Sequence, residues 1–347
     1  MRLTLRMTQL VFLIFFLLSG KLGGQTQPSK EYRVVFYNTE NLFDPFDDPS
    51  TNDDEYTPAG KNHWTLSKLE NKVRMVYRAI ITAADGNYPD IIGLSEIENL
   101  WVLEYLLKNT PLGAENYGIV HKESPDPRGI DVALLYRRQT VRPLDYRFLP
   151  VHGKANSRFS SRDILYFKAK IGEETIHFLV NHWPSRSGGY METRGKRDLA
   201  ARIARKSMDS LRIADRKGKI LLMGDFNATP DETCLTKILG ANCSQLSADS
   251  SQLVNLSQCW LNGSSGTIRT KGKWEIFDQF ICTDNLLHGI GLMISPAQTT
   301  VCRAEFLLEP DERYLGKKPF RTYLGPIYHG GVSDHLPVAT LLKQGLK

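Results

Sequence analysis

The stretch Lys219-Ile220-Leu221-Leu222-Met223-Gly224-Asp225-Phe226-Asn227 reads as a buried strand that ends in a polar cluster. Four successive apolar residues bounded by a turn signal fit a strand covered on both faces, and Gly224 lets the backbone turn tightly behind it. Asp-x-Asn after a strand is also ordinary turn chemistry, so its meaning depends on company. That company is present: similar apolar runs at Val34–Tyr37, Ile91–Leu94, Val132–Tyr136, Ile176–Val180, Ile276–Ile281 and Val338–Leu342 lie beside Asn38 and Glu40, Glu96, His182, Asp278, and Asp334 with His335.

Helical patterns alternate with these strands. Leu66, Leu69, Val73, Val76 and Ile80 keep one face apolar, with Ser67 and Glu70 at capping-box spacing; Leu100–Leu107 and Leu199–Ile213 are further helices. Without a repeat or a linker rich in Ser or Pro, the pattern predicts one α/β domain of two packed sheets covered by helices, over residues 26–347. A long polar segment from Asp44 to Asn62 interrupts it. Its clustered acids suit either a solvated loop or a calcium-binding or site-flanking one.

Residues 1–25 stand apart. Arg2 and Arg6 precede the apolar run Leu10–Leu18, and small residues follow, which is the pattern of a secretory signal peptide. The run is short for a membrane span, an uncleaved anchor being the alternative, so a secreted or periplasmic protein without stable membrane insertion is expected. The formal charge of +6 includes Arg2, Arg6 and Lys21, and their loss with no acid leaves +3. Steering toward nucleic acid is correspondingly modest. The five cysteines lack C-x-x-C spacing, which argues against a zinc site; Cys234 and Cys243 could close a short bridge or remain buried thiols.

Asn38 and Glu40 are two residues apart and share a face if the strand continues. Glu96 ends its strand at the sheet rim, and His182 is followed by a loop of hydroxyls with Arg186. Asp278 is a carboxylate in an otherwise apolar strand, where a buried acid needs a partner. These residues suit a divalent metal and a phosphate ester. Bases and aromatics mixed in Lys317–Tyr328 suit phosphates and stacked bases.

The motifs Tyr37-Asn38-Thr39-Glu40-Asn41-Leu42-Phe43-Asp44, Asn181-His182-Trp183-Pro184-Ser185-Arg186, Gly224-Asp225-Phe226-Asn227 and Ser333-Asp334-His335-Leu336-Pro337 resemble the endonuclease/exonuclease/phosphatase superfamily, and the first two resemble, more narrowly, its secreted bacterial branch labelled endonuclease. The resemblance implies a deoxyribonuclease I-like four-layer α/β/β/α sandwich and a Mg²⁺-dependent phosphoric ester hydrolase, with Mn²⁺ or Ca²⁺ as alternatives. It implies that Glu96 is the main metal ligand, with Asn38, Glu40 and Asp334 close by. Asp225 aligns or deprotonates the attacking water with help from Asn227, His335 contacts the phosphoryl oxygen under the orientation of Asp278, and His182 is the second histidine. Arg128, Arg186, Arg321 and Tyr323 are the substrate-binding candidates. The expected activity is hydrolysis of phosphodiester bonds in DNA or RNA by a monomer; a phosphatase or phospholipase C on phosphoinositide or sphingomyelin is the enzymatic alternative, and a binding protein without chemistry the other.

Overall fold

Each of the apolar runs forms a strand whose alternate side chains enter two different cores, which is why both faces read as hydrophobic. We describe residues 30–153, 159–242, 253–262 and 266–345 of a computed structural model; the 1–25 segment and Cys243 lie outside them. One sheet contains β1 (Glu31–Leu42), β2 (Ile91–Ile97), β3 (Tyr117–His121) and β4 (Asp131–Arg137). The other contains β5 (Val141–His152), β6 (Ser160–Ile171), β7 (Glu174–His182), β8 (Lys219–Asp225) and β9 (Asp278–Thr283), while β10 (Val338–Gln344) returns to the first.

Both sheets share a motif. β1 and β2 run parallel, flanked by antiparallel β10 and β4; β7 and β8 run parallel, flanked by antiparallel β6 and β9. The carboxyl ends of the parallel strands and the starts of β9 and β10 therefore share one edge of each sheet. Chemistry-bearing residues from distant parts of the chain are gathered there.

Val34 and Phe36 of β1, Leu134 of β4, Phe167, Phe178, Met223 and Phe280 form the core between the sheets. On the outer face of the first sheet, Ile92 and Leu94 pack with the apolar stripes of α1 (Leu66–Ala83) and α2 (Leu100–Lys108). On the outer face of the second, Leu179, Ile220 and Leu222 pack with Ala200, Ala201, Ala204 and Met208 of α3 (Tyr190–Ala214). The result is the expected four-layer α/β/β/α sandwich. The cap of α1 differs from expectation: Thr65, rather than Ser67, accepts from the Lys68 amide. No helix among the described residues is long and apolar enough to cross a membrane.

Gly224 has φ +158°, and a Cβ there would lie 2.2 Å from the Asn181 carbonyl oxygen on neighbouring β7. The absent side chain lets the end of β8 lie tight against β7, where His182 pairs in register with Asp225. Gly224→Ala is expected to cost at least about 2 kcal/mol through this overlap, read as a lower urea midpoint.

Candidate active site

The centre of the site is one carboxylate oxygen. Asp225 Oδ2 lies 3.1 Å from Asn38 Nδ2, 3.3 Å from Asn227 Nδ2, 3.6 Å from His182 Nε2 and 3.8 Å from His335 Nε2. Strand register explains this convergence: β8 places Asp225 opposite His182 on one side and Asp278 on the other. Asp225 Oδ1 accepts the Asn227 amide at 2.8 Å, in a turn where Asn227 takes φ +49°. Asp278 Oδ2 holds His335 Nδ1 at 2.7 Å.

Two further contacts fix that last pair. Thr267 Oγ1 accepts the Asp278 amide and Thr267 O accepts the Leu336 amide, so one residue clamps both segments. Ser333 Oγ donates to Asn38 O at 2.7 Å and accepts the His335 amide at 3.0 Å. The hydroxyl thereby ties the pentapeptide to the end of β1.

Glu96 sits on a bulge in β2, where the register shifts between Ser95 and Ile97. Its φ of +59° is uncommon for a side chain of this size, and such conformations cluster at functional sites. Oε2 accepts the Asn41 amide at 2.9 Å, and Oε1 lies 3.5 Å from Asn38 Nδ2 and 3.7 Å from His182 Nε2.

The environment drives the two histidines apart. Burial, with the Arg162 and Arg128 charges, holds His182 well below the usual imidazole range, so it is neutral. Burial also acts against charge on His335, but Asp278 and Asp225 outweigh it and raise this imidazole well above its usual value. Asp225 is pushed up to about 7, by burial first and with Asp278 adding, while His335 opposes. A neutral imidazole, an imidazolium and a carboxyl group poised near neutrality share one point, the separation of protonation states that acid–base work requires.

A metal also finds a suitable place. Glu96 has no Lys or Arg partner among the described ion pairs, only the neutral His182, and its hard oxygens beside the Asn38 amide suit a divalent cation. Asp225, Asp278 and His335 bring donor atoms within 4.8 Å of one another. Asp278 is already engaged with His335 Nδ1 at 2.7 Å, so this trio reads as a hydrogen-bonded relay rather than as the metal shell.

The match to the Endonuclease/Exonuclease/phosphatase family spans residues 33–344. The chain belongs to this family. No curated protein sequence matches it. Among solved structures, an endonuclease/exonuclease/phosphatase family protein from Bacteroides thetaiotaomicron is 13% identical with a TM-score of 0.56, over 92% of this chain and 100% of that one. The humanised D. rerio TDP2 is 12% identical with a TM-score of 0.55, over 90% and 98%. A mannosyl-6-phosphatase from B. thetaiotaomicron VPI-5482 is 14% identical with a TM-score of 0.55, over 90% and 99%. At these identities the likeness establishes the deoxyribonuclease I-like fold, and family members are phosphoric ester hydrolases that generally use divalent metals.

Asn38, Glu96, His182, Asp225, Asn227, Asp278 and His335 thus converge, and several other predicted roles change. Glu40 takes φ +49°, so the extended alternation that would align it with Asn38 ends. Its carboxylate accepts from Arg321 Nε at 2.8 Å and from the Thr322 amide at 2.9 Å. Arg321 Nη2 also reaches Asp334 Oδ2 at 3.1 Å. A guanidinium therefore stands between the two acids expected to lie near the metal, with its side chain 41% exposed. Burial and then Asp334 raise Glu40 to about 7. Lys72, missed from sequence although it lies on the apolar face of α1, is buried and donates to Glu40 O and Thr322 Oγ1, both at 2.5 Å.

Tyr323 is not a substrate contact: it is buried, and its hydroxyl donates to Asn62 O at 2.9 Å. That bond, with Phe43 stacked on Tyr56, fixes the acidic 44–62 segment as a packed flank of the site. Asp44 and Asp53 are buried within it and accept the amides of Phe46 and Asp48. Arg186 is a positioning residue. It donates to Asn227 O and pairs with Glu232 and Glu275. Arg128 remains on the surface beside Asp126, with its side chain 47% exposed. Arg162, which sequence reading passed over within β6, is buried and donates to Trp183 O, the carbonyl that also accepts Asn227 Nδ2. Asp131 is structural, accepting from the Ser124 amide and contacting His121.

Proposed function

We propose that the protein is a secreted, Mg²⁺-dependent phosphoesterase that cleaves P–O bonds by in-line attack of water. The observation that carries this reading is the placement of Asp225 Oδ2 between a neutral His182 and a cationic His335. Water held by Asp225 and Asn227 attacks phosphorus, and its proton passes to Asp225 as the new P–O bond forms. The His335 imidazolium donates a hydrogen bond to a phosphoryl oxygen, where charge accumulates while the opposite P–O bond breaks. Glu96, with Asn38 beside it, would hold a divalent ion, which would supply Lewis-acid stabilisation of that charge. The signal-like 1–25 segment supports secretion.

Two substrate classes remain in view. A structure of D. rerio TDP2 carries a single-strand DNA product, at 11% identity and a TM-score of 0.51, which favours nucleic acid. Against that reading, Tyr323 is buried, while Lys317 pairs with Glu305 and Lys318 with Glu309, so the basic and aromatic stretch expected to grip a strand is occupied internally. We therefore place small phosphate esters first and nucleic acid second. With bis(p-nitrophenyl) phosphate, hydrolysis is expected with Mg²⁺ and not with chelator. Glu96→Gln should raise the Mg²⁺ concentration for half-maximal rate by at least about tenfold, since even outer-shell metal partners are worth that much. Full activity in chelator would remove the metal from the mechanism.

A further inference from the structure

Beside His182 lies a cleft of about 560 Å³ that the proposed chemistry does not use. Ligand sites have volumes of roughly 300–1,000 Å³, so it could hold a group of monosaccharide size. Its lining is cationic and rich in hydroxyls: Arg128, Arg162 and Lys196 with Ser160, Ser161 and Ser185. Asp126 is the acid among the described lining residues; Arg162 donates to it at 2.9 Å, and the half-exposed Arg128 has Nε 3.6 Å from its other oxygen. Lys196 has no acidic partner among the described ion pairs and lies with Nζ 5.0 Å from the centre of the Phe159 ring.

Two polar atoms of the wall are unpaired. Ser161 Oγ and Arg162 Nε are buried without a hydrogen-bond partner among the described residues, in residues only 2% and 4% exposed. Buried polar groups are ordinarily satisfied, and these two belong to residues that line the cleft. A hydrogen-bond relay links the wall of the cleft to the reaction centre. Arg162 donates to Trp183 O, the same oxygen that accepts Asn227 Nδ2, and Pro184 and Ser185 of the wall directly follow the His182 strand.

We propose that this cleft is a second substrate subsite that holds a sugar or polyol carrying a further phosphate, while the ester to be cleaved lies at Asp225. The inference rests on the phosphoesterase reading and names its substrate class. A nucleobase would require an open aromatic face, and the one aromatic side chain among the described residues lining the cleft, Phe159, already has Lys196 over its ring. A polyol instead meets serine hydroxyls, and its phosphate meets Arg128 and Lys196 in charge-assisted contacts.

Calorimetric titration of the full chain tests this with glucose 1,6-bisphosphate, glucose 1-phosphate, inorganic phosphate and oligothymidylate. The bisphosphate is expected to bind at least about tenfold tighter than the monophosphate, the worth of one charged hydrogen bond. Arg128→Ala and Lys196→Ala should each erase most of that preference while melting at the wild-type temperature. Equal affinity for the two sugars, a preference untouched in both variants, or tighter binding of inorganic phosphate or oligothymidylate would overturn the subsite. Turnover of bis(p-nitrophenyl) phosphate is scored separately. Its absence alongside the bisphosphate preference would remove the hydrolase reading and leave a binding cleft; its presence without the preference would remove the cleft alone.

Discussion

Asp225→Asn is expected to lower kcat on bis(p-nitrophenyl) phosphate by about 10² to 10⁴, the usual worth of a positioned base. The substitution keeps the side-chain shape and leaves Oδ1 able to accept the Asn227 amide, but an amide cannot take a proton from water. In the wild type, kcat/KM should rise with pH through about 7 as Asp225 ionises; in the variant that ascending limb should disappear. Near-normal turnover, or an unchanged limb, would exclude Asp225 as the base.

The same variant makes an opposite prediction for stability. Asp225 ionises at about 7 in the fold against an ordinary value of 3.8, so between those values the native state binds more protons than the unfolded chain. Stability therefore falls as pH rises across that window. Removing the ionisable group should leave the melting temperature at pH 8 equal to or above that of the wild type, with no gain near pH 4. A site that loses activity while the fold holds or gains stability is one whose strain serves function.

The two central strands of each sheet are legible in sequence because both of their faces are buried, which turns them into continuous apolar runs. β5 and β6 are not, and the reason is physical. β5 is an edge strand whose outer positions include exposed Leu144 and Tyr146, while β6 carries Arg162, Asp163, Lys168 and Lys170 within its span, so neither gives an unbroken hydrophobic signal. α3 begins nine residues before its expected start because its first turns hold Glu192, Arg194 and Lys196 around one buried face. The site was readable where a polar residue ended an apolar run, as at Glu96, His182 and Asp225. It was unreadable where local geometry redirected a side chain: the left-handed turn at Glu40 and Asn41 delivers Glu40 to Arg321. Arg162 left no signal, since an arginine in a charged strand resembles a solvated one until its burial beside Trp183 is known.

Asp278→Ala is expected to combine a large loss of activity with a large loss of stability, and Asp278→Asn separates the two. Asp278 is fully buried and holds His335 Nδ1 at 2.7 Å; removing one partner of such a pair costs about 3–5 kcal/mol because the other is left uncompensated. The Asn variant keeps the volume but not the charge that raises His335. Its imidazole should lose its proton at lower pH, so the alkaline limb of the rate profile should move downward in pH, with kcat reduced by about 10² or more at pH 8. Stability carries the matching sign. Because His335 ionises above its ordinary 6.5 in the fold, its contribution is complete below 6.5 and is lost as pH rises through the folded value. The wild type should therefore exceed the Asn variant most in melting temperature below pH 6.5, with the gap narrowing in alkali. An Asp278→Asn enzyme that is unstable yet keeps the wild-type alkaline limb would reduce Asp278 to a packing residue and leave Asp225 as the source of the His335 charge.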